Sequence, residues 1–524
     1  MNQKHGLLIT LACALAFGTF CIDGYGLPRI LVASVGLIYG FMALMLKRSR
    51  IRQTMLDIPI AWFFAAVVLT TLTSHDLYGS LIGDYAAYFT GMFSIIIYIG
   101  AYYLAASSES DPEEIGYYVV RGGAIIAFYA LLQYCGLDPF KGVQDLNVTA
   151  NRAWSTIGNP VYCGAVLAIV LQVAVHKILN DSEDRAANLS LAVVICFGIF
   201  ATFSRGAWLA AMVGVGVQVL KKWPEFRKRI RSGFIVCGIL GVLALSYGRT
   251  DLSKADAGRI ATWKTAVRIF KNHPIVGFGP STFGTAYRKY RTMEDVAVYG
   301  HGGGQKAAHN QILQVAATMG LVGLVPFLLL IAYILMLCFT GFASPMAFGM
   351  VLAAIVCGSL NPIPFPAYII LAVFLGMEMK ESDIGWGEFM ELITPTAALF
   401  VLIPMCAFWG RHLAADYHAK RLALPKSMAL MPIQIEYRIR FVTELHKRYP
   451  KKPSAILQGL SASLETGRLH PNRPEGHHMS GVSYLLLNQA GMALKYLKKA
   501  KEMDQYFKPI DKALATIKTP KRGG

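Results

Sequence analysis

The sequence predicts an all-α, polytopic membrane bundle of about 12–13 transmembrane helices, with a large outer loop and a small C-terminal helical domain. Three observations predict it. Of the 524 residues, 55% are hydrophobic and only 15% charged, with a mean hydropathy of +0.45; a soluble chain carries about 25% charged residues. The apolar residues gather into runs of roughly 17–25, the helix length that crosses a hydrocarbon core of about 30 Å. In lipid every backbone N–H and C=O must be paired within its own segment, so such runs are helices.

In chain order the runs fall near 6–22, 28–46, 57–73, 88–106, 117–135, 160–178, 188–204, 207–220, 232–247, 319–339, 344–359, 366–378 and 396–410. The first follows Lys4 and His5 like a signal peptide, but a dozen further runs make it a retained first helix. Short loops rich in Lys and Arg stay in the cytoplasm. Lys47, Arg48, Arg50 and Arg52 follow the second run; Lys221, Lys222, Arg227, Lys228, Arg229 and Arg231 follow the eighth, against Glu225. Both clusters follow even-numbered runs and place the N-terminus inside. The longest loop, about 248–318, then faces outward, together with the tight turn at Arg205 and the loop 136–159.

Thirteen spans divide the chain into a transmembrane domain, 1–410, and a soluble tail, 411–524, on the outer side. The tail carries 21 Lys and Arg against 8 Asp and Glu. That charge pulls the other way, though long domains translocate largely regardless of it. Cys13, Cys196, Cys237, Cys338, Cys357 and Cys406 lie inside apolar runs, in no metal-ligand spacing, and read as small buried side chains. Cys135 and Cys163 lie near one face, where pairing is an option.

Candidate chemistry gathers in the outer segments. Between Tyr247 and His309 ten basic residues face four acids, Asp251, Asp256, Glu294 and Asp295. An outer loop of that charge suits an anionic ligand such as a diphosphate, which guanidinium groups grip in a bidentate fork. Contact with anionic lipid head groups accounts for it equally well. Arg205 stands in Phe203-Ser204-Arg205-Gly206-Ala207, a turn too tight to carry its guanidinium far from the interface. Ionisable groups held there are functional candidates, although an interfacial arginine also simply snorkels. Arg259 and Trp263 are neighbours at i, i+4 on an amphipathic helix whose apolar stripe runs Ile260, Trp263, Val267, Phe270, as in a helix lying along the membrane surface. That helix ends at His273-Pro274, and Gly277-Phe278-Gly279-Pro280 turns the chain back.

His309 follows Gly302-Gly303-Gly304 and opens a helix that runs to Met319, with Gly320 and Gly323 marking a break before the tenth span. An imidazole titrates near neutrality and makes a good general base; Asn310 is placed to orient it or to cap the helix. A lone histidine is more often structural than catalytic. This one shares a membrane side with Arg205 and Arg259.

Four stretches over roughly residues 57–378 resemble the O-antigen ligase family, which includes O-antigen ligases, O-antigen polymerases and bacterial protein O-oligosaccharyltransferases. They are Arg152-Ala153-Trp154-Ser155-Thr156-Ile157-Gly158-Asn159-Pro160; Thr202 to Trp208 around Ser204-Arg205-Gly206; Arg259 to Trp263 with Pro274-Ile275-Val276-Gly277-Phe278-Gly279; and His309-Asn310 with Gly320-Leu321-Val322-Gly323-Leu324. The resemblance implies a glycosyltransferase of the inner membrane that moves a glycan from undecaprenyl diphosphate to an acceptor hydroxyl on the periplasmic side. The acceptor is a glycan, a lipid A–core sugar or a protein. His309 matches the histidine that deprotonates the acceptor, Arg205 and Arg259 the arginines that bind the diphosphate, with Arg152 assisting and Ser204, Trp263 and Asn310 in support. The implied reaction is inverting and uses no metal or other cofactor, in keeping with the scattered acids of the outer loop; no nucleic-acid partner is implied. A flippase or transporter is the rival from another class and would want charges at bilayer depth and inverted repeats, neither of which the sequence displays.

Beyond residue 411 the apolar runs stop. Residues 474–507 read as one tetratricopeptide-like helix pair, and 428–465 as two further amphipathic helices. One or two degenerate repeats make no solenoid, so a small helical domain that docks on the outer loops, an acceptor or a partner is expected. Its presence favours polymerisation or protein glycosylation over ligation to lipid A–core.

Overall fold

A computed structural model describes residues 2–84, 88–140, 152–181, 184–222, 252–301, 304–379 and 394–518. Among them every regular element is a helix. The bundle is built from α1 (Gln3–Leu11), α2 (Gly26–Leu46), α3 (Asp57–Leu72), the short α4 (Leu77–Ile82), α5 (Met92–Ala106), α6 (Pro112–Tyr134), α7 (Pro160–Asn180), α8 (Arg185–Ala201) and α9 (Arg205–Lys222). Three extramembrane helices follow, α10 (Leu252–Asn272), α11 (Phe283–Tyr290) and α12 (Met293–Tyr299). Four more complete the bundle: α13 (Gln311–Thr340), α14 (Pro345–Leu360), α15 (Phe365–Glu378) and α16 (Pro395–Lys420). Five helices, α2, α6, α7, α13 and α16, are long and apolar enough to cross a membrane, and α3, α5, α8, α14 and α15 are shorter apolar helices. The expected run at 232–247, with Cys237 and the basic residues from Arg227 to Arg231, lies outside the described residues, as do Asp251 and Gly302-Gly303.

The first expected span is a correction. Helix α1 stops at Leu11, one 3₁₀ turn covers Ala12–Ala14, and the chain then bends irregularly to Tyr25. Gly6 lies so close to α2 that a Cβ there would sit 2.5 Å from the Gly40 Cα, the small-residue approach that membrane helices use. Beyond it, glycines at 18, 24 and 26 favour turning, and Asp23 closes the segment by accepting from the Gly26 and Leu27 amides at 3.0 and 3.1 Å. Irregular backbone at a membrane boundary needs partners from elsewhere. Helix α16 supplies two: Asp416 Oδ2 accepts from the Asp23 N–H at 2.6 Å, and Lys420 donates to the Thr19 carbonyl at 2.6 Å.

The two ends of the bundle differ in the described residues they carry. Lys4 pairs with Glu114, Lys47 with Glu109, Lys177 with Glu113, and Lys221 donates to the Cys338 carbonyl, all at one end. Arg205, Arg259 and His309 lie at the other. Cys135 and Cys163 are both free thiols, the first exposed and the second buried, so no disulfide joins them.

Helix α16 continues past residue 410 into the tail, followed by α17 (Leu424–Leu430), α18 (Ile435–Arg448), α19 (Pro453–Leu469), α20 (Pro474–Leu486), α21 (Ala490–Met503) and α22 (Lys508–Lys518). Helices α18 with α19 and α20 with α21 form two hairpins, and α22 closes on the second. The tail packs on the end of the bundle that holds His309: the Asn472 amide donates to the His75 carbonyl at 2.6 Å, and Arg473 bridges Asp76 and Asp84.

Candidate functional site

The site starts from a broken helix. Gly320 interrupts α13 with φ 59° and ψ −157°, a region only glycine occupies readily. The break frees backbone groups on both sides, and the segment Pro274–Gly279 takes them up. Phe278 and Gly279 N–H donate to the Ala317 and Thr318 carbonyls at 3.2 and 2.8 Å, while Leu321 and Val322 N–H donate to the Pro274 and Ile275 carbonyls at 2.8 and 3.0 Å. A Cβ on Gly320 would strike the Ile275 carbonyl, and one on Gly277 (φ 69°) would strike Thr318. Two glycine-rich motifs about 45 residues apart are thus the two halves of one strapped kink. Gly323, expected to share the break, is helical. The strap continues from α10, which buries Ala261, Thr262, Thr265, Ala266 and Ile269 inward and leaves Ile260 and Val267 exposed, the surface an interfacial helix offers to lipid.

His309 precedes this helix rather than opening it. Asn310 is the N-cap: its Oδ1 accepts from the Leu313 N–H at 3.0 Å, and its amide N–H donates to the Ser359 carbonyl at 2.9 Å. His309 itself has φ 54°, uncommon for a residue with a side chain. Its imidazole is held between two amides, with Nδ1 3.0 Å from Asn361 Oδ1 and Nε2 3.0 Å from Gln305 Oε1. Burial lowers the ring below the ordinary histidine value; the hydrogen bond to Asn361 works against this, and the charge of Arg259 works with it. A neutral imidazole carries one N–H. With Nδ1–H donated to Asn361 Oδ1, the Nε2 lone pair of a neutral ring faces Gln305 Oε1, itself an acceptor, so this contact becomes a hydrogen bond only when the Gln305 amide turns to offer its N–H, or gives way to an acceptor hydroxyl.

The arginines approach from two sides. Trp263 Nε1–H donates to the His309 carbonyl at 3.4 Å, and this ties α10, and with it Arg259, to the histidine. On the other side, Asn361 belongs to the turn between α14 and α15. The preceding Leu360 packs on Gly206, where a Cβ would lie 2.9 Å from its Cδ1, so Arg205 at the start of α9 borders the same turn. Arg205 follows Phe203, which has φ 48°, and the buried Ser204, whose N–H donates to Thr202 Oγ1 at 3.3 Å. Arg152 reaches this turn too, donating from Nε to the Thr202 carbonyl at 3.0 Å and from Nη2 to the Phe203 carbonyl at 3.4 Å. Its guanidinium therefore holds the C-terminal end of α8, where a cation is favoured by the helix dipole.

Two of the outer-loop acids have structural partners. Asp295 caps α12 and accepts from Thr265 and Tyr287 at 2.8 and 2.9 Å, and Glu294 pairs with Lys264 at 2.9 Å. Among the described residues no group of three His, Cys, Asp or Glu stands together as a metal-binding set. Next to the histidine, an apolar cavity of about 330 Å³ begins at Gln311, Gly358 and Ser359 and extends between α3, α5, α13, α14 and α15 to Leu56, Tyr102 and Leu375 near the far end.

Residues 190–328 match the family model described as O-antigen ligase. Over that segment the chain is similar to the O-antigen ligase family. The match runs from α8 to the middle of α13 and contains Ser204, Arg205, Arg259, Trp263, His309 and Asn310. Arg152 lies before it and Asn361 after it. No curated protein matches the chain. The O-antigen ligase similarity supports chemistry of the ligase or polymerase kind, with glycan and lipid-linked substrates in a general sense. Two residues of the site escaped the sequence reading, Gln305 and Asn361. Asn361, in Ser359-Leu360-Asn361-Pro362, carried a usable signal: a polar residue between two apolar runs, at the end that span parity assigns to His309.

Proposed function

We propose that the protein transfers a glycan from a polyprenyl diphosphate carrier to an acceptor hydroxyl at the outer face of the bacterial inner membrane. The observation that carries this reading is the His309 imidazole, oriented by Asn361 at 3.0 Å, half-buried, and bordered by Arg259 on one side and by the turn that bears Arg205 on the other. In this reading Nε2 takes the acceptor proton as the hydroxyl oxygen attacks C1 of the donor sugar. The bond from C1 to the phosphate oxygen breaks and its electron pair leaves with the diphosphate. Arg205, Arg259 and the N-terminal end of α9 oppose the charge that develops there. General-base assistance of this kind contributes about 10²–10⁴-fold. The apolar cavity that begins beside Gln311 and Ser359 gives the hydrocarbon of a lipid-borne donor a place next to its head group.

The basic clusters at the opposite end support a cytoplasmic N-terminus and an outer site. The docked tail favours a growing glycan or a protein as acceptor over lipid A–core. A gene deletion, scored separately for lipopolysaccharide, capsule and glycoprotein, tests the proposal. One of the three is lost, wild type restores it, and His309→Ala does not although the variant inserts normally. Loss of none of the three, or full rescue by His309→Ala, removes the basis for the reading.

A further inference from the structure

The tail touches the site end of the bundle through buried and half-buried ion pairs, and each of them leads toward Gln305. Arg291, at the end of α11, pairs with Asp504 at the end of α21 at 2.6 Å, and both side chains are only 2% exposed. The same guanidinium donates to the His301 carbonyl at 2.9 Å, and His301 Nδ1 lies 3.0 Å from the Tyr506 carbonyl. Two tail residues thus hold the start of the segment 301–309. Its middle rests on α11: a Cβ on Gly284 would sit 3.6 Å from the Gln305 carbonyl and from Lys306 Cα, and 2.7 Å from Asp84 Oδ2. Asp84 is in turn one of the two carboxylates bridged by Arg473. Arg288, also on α11, pairs with Glu475 of α20, and a Cβ on Gly304 would lie 3.6 Å from its Nε.

Surface ion pairs are worth little, but buried ones fix geometry, because a charge left without its partner in the interior is strongly unfavourable. Arg473 also uses the fork that a lysine lacks, with Nε on Asp76 at 3.1 Å and Nη2 on Asp84. Burial alone would lower its guanidinium, yet Asp84 and Asp76 raise it above the ordinary arginine value.

We infer that the C-terminal helices are a frame for the site, not a separate module: through Arg291–Asp504, Arg288–Glu475 and Arg473–Asp76/Asp84 they clamp α11, His301 and residues 304–309 so that Gln305 stays against His309. Arg291, Asp504 and Arg473 are positioning residues. The inference rests on the reading of His309 as the base, and its test is chosen to separate the two.

Hydrogen exchange on the full-length protein reads the clamp without reference to any reaction. In the wild type, amides of 304–309 are protected to the same degree as those of α20. In Asp504→Asn their exchange accelerates about tenfold or more, while the membrane helices are unchanged. Per mole of folded Asp504→Asn, kcat for transfer from a lipid-diphosphate donor falls about tenfold or more, since displacement by about 1 Å is worth about 10²-fold, and the donor KM stays within about twofold. Asp504→Glu, which keeps the carboxylate, restores both. Free-chain exchange of 304–309 in the wild type overturns the inference without any variant. So does unchanged exchange in Asp504→Asn, or loosened exchange with full activity. A wild type protected at 304–309 but inactive in transfer leaves the clamp standing and sinks the functional reading alone.

Discussion

Asn361→Asp places a full negative charge where the native protein has an amide dipole, 3.0 Å from His309 Nδ1. In the wild type, burial leads in holding the ring below the ordinary imidazole value, Arg259 adds to it, and Asn361 opposes it. The neutral ring is therefore the form present at neutral pH. Transfer that depends on its lone pair persists down through about pH 6.5 and is lost only as pH falls further. A carboxylate favours the imidazolium. Two unit charges 4 Å apart interact by about 4 kcal/mol at an effective dielectric constant of 20, which is about three pH units as an upper bound. Nearby opposite charges usually shift a titrating group by about 1–3 units, and Arg259 partly neutralises this one, so a shift near the lower end of that range is expected. The acid limb of kcat moves upward by that amount. Activity at about pH 8.5 changes little, and the ratio of activity at about pH 6.5 to that at pH 8.5 falls, by up to about fivefold for a one-unit shift. Asn361→Ala shifts the limb the other way or not at all, because it removes the contact that favours the protonated ring, while its kcat falls at every pH. The assay is glycan transfer in proteoliposomes, with a lipid-diphosphate donor, across about pH 5.5–9. Superimposable acid limbs for Asn361→Asp and wild type would mean that the group titrating in the reaction is not His309, and the assignment of the base would fall.

Other outcomes follow from the same geometry. His309→Ala loses about 10²–10⁴-fold in transfer with normal membrane insertion, checked by the same assay beside a fractionation blot; a loss under threefold contradicts it. Arg259→Ala raises the donor KM and lowers kcat, and Arg259→Lys recovers part of the loss, because a point charge replaces a bidentate fork; equal activity of all three proteins would put Arg259 outside the donor site. Gly320→Ala forces a side chain into a region that costs on the order of 1–3 kcal/mol, against the Ile275 carbonyl. Its thermal unfolding midpoint in detergent drops by several degrees.

How much of this was legible in the chain depends on the range of the interaction concerned. Hydropathy is a local property, and the runs from 28–46 to 396–410 correspond to helices wherever those residues are described. The failure at 6–22 is physical: the composition is apolar enough for helix, but Asp23, three glycines and the distant Asp416 stabilise an irregular path that no local pattern contains. The arginines and His309 were legible because charge is rare in such a chain. Gln305 and Asn361 were not singled out because an uncharged amide means something only beside its partner, and Asn361 lies 52 residues from His309. Tail docking was expected in kind, yet its residues were not. Arg473 meets Asp76 across 397 positions, a pairing set by tertiary structure alone.

The backbone itself explains why such a site calls for a frame. Ser155, Phe203, Ser281 and His309 all have φ between 48° and 57°, and all four lie at the same end of the bundle. Each is unfavourable for a residue with a side chain and persists only where its surroundings over-determine it. The surroundings are on hand in each case. The Ser155 N–H donates to Gln133 Oε1 at 2.6 Å, the Phe203 carbonyl accepts from Arg152 Nη2 at 3.4 Å, and Ser281 Oγ meets Thr90 Oγ1 at 2.9 Å and the Asp84 N–H at 3.3 Å. Asp84 recurs: it anchors the strained Ser281 turn, backs Gly284, and receives Arg473 from the tail. Turns at the mouth of a helical bundle have few neighbours of their own, because the bundle lies on one side and water on the other. A helical tail laid over that mouth supplies the missing side. The strain at His309 and the ion pairs of the tail are then two halves of one arrangement, in which preorganisation of the imidazole is maintained by contacts between residues 187 to 397 positions apart along the chain.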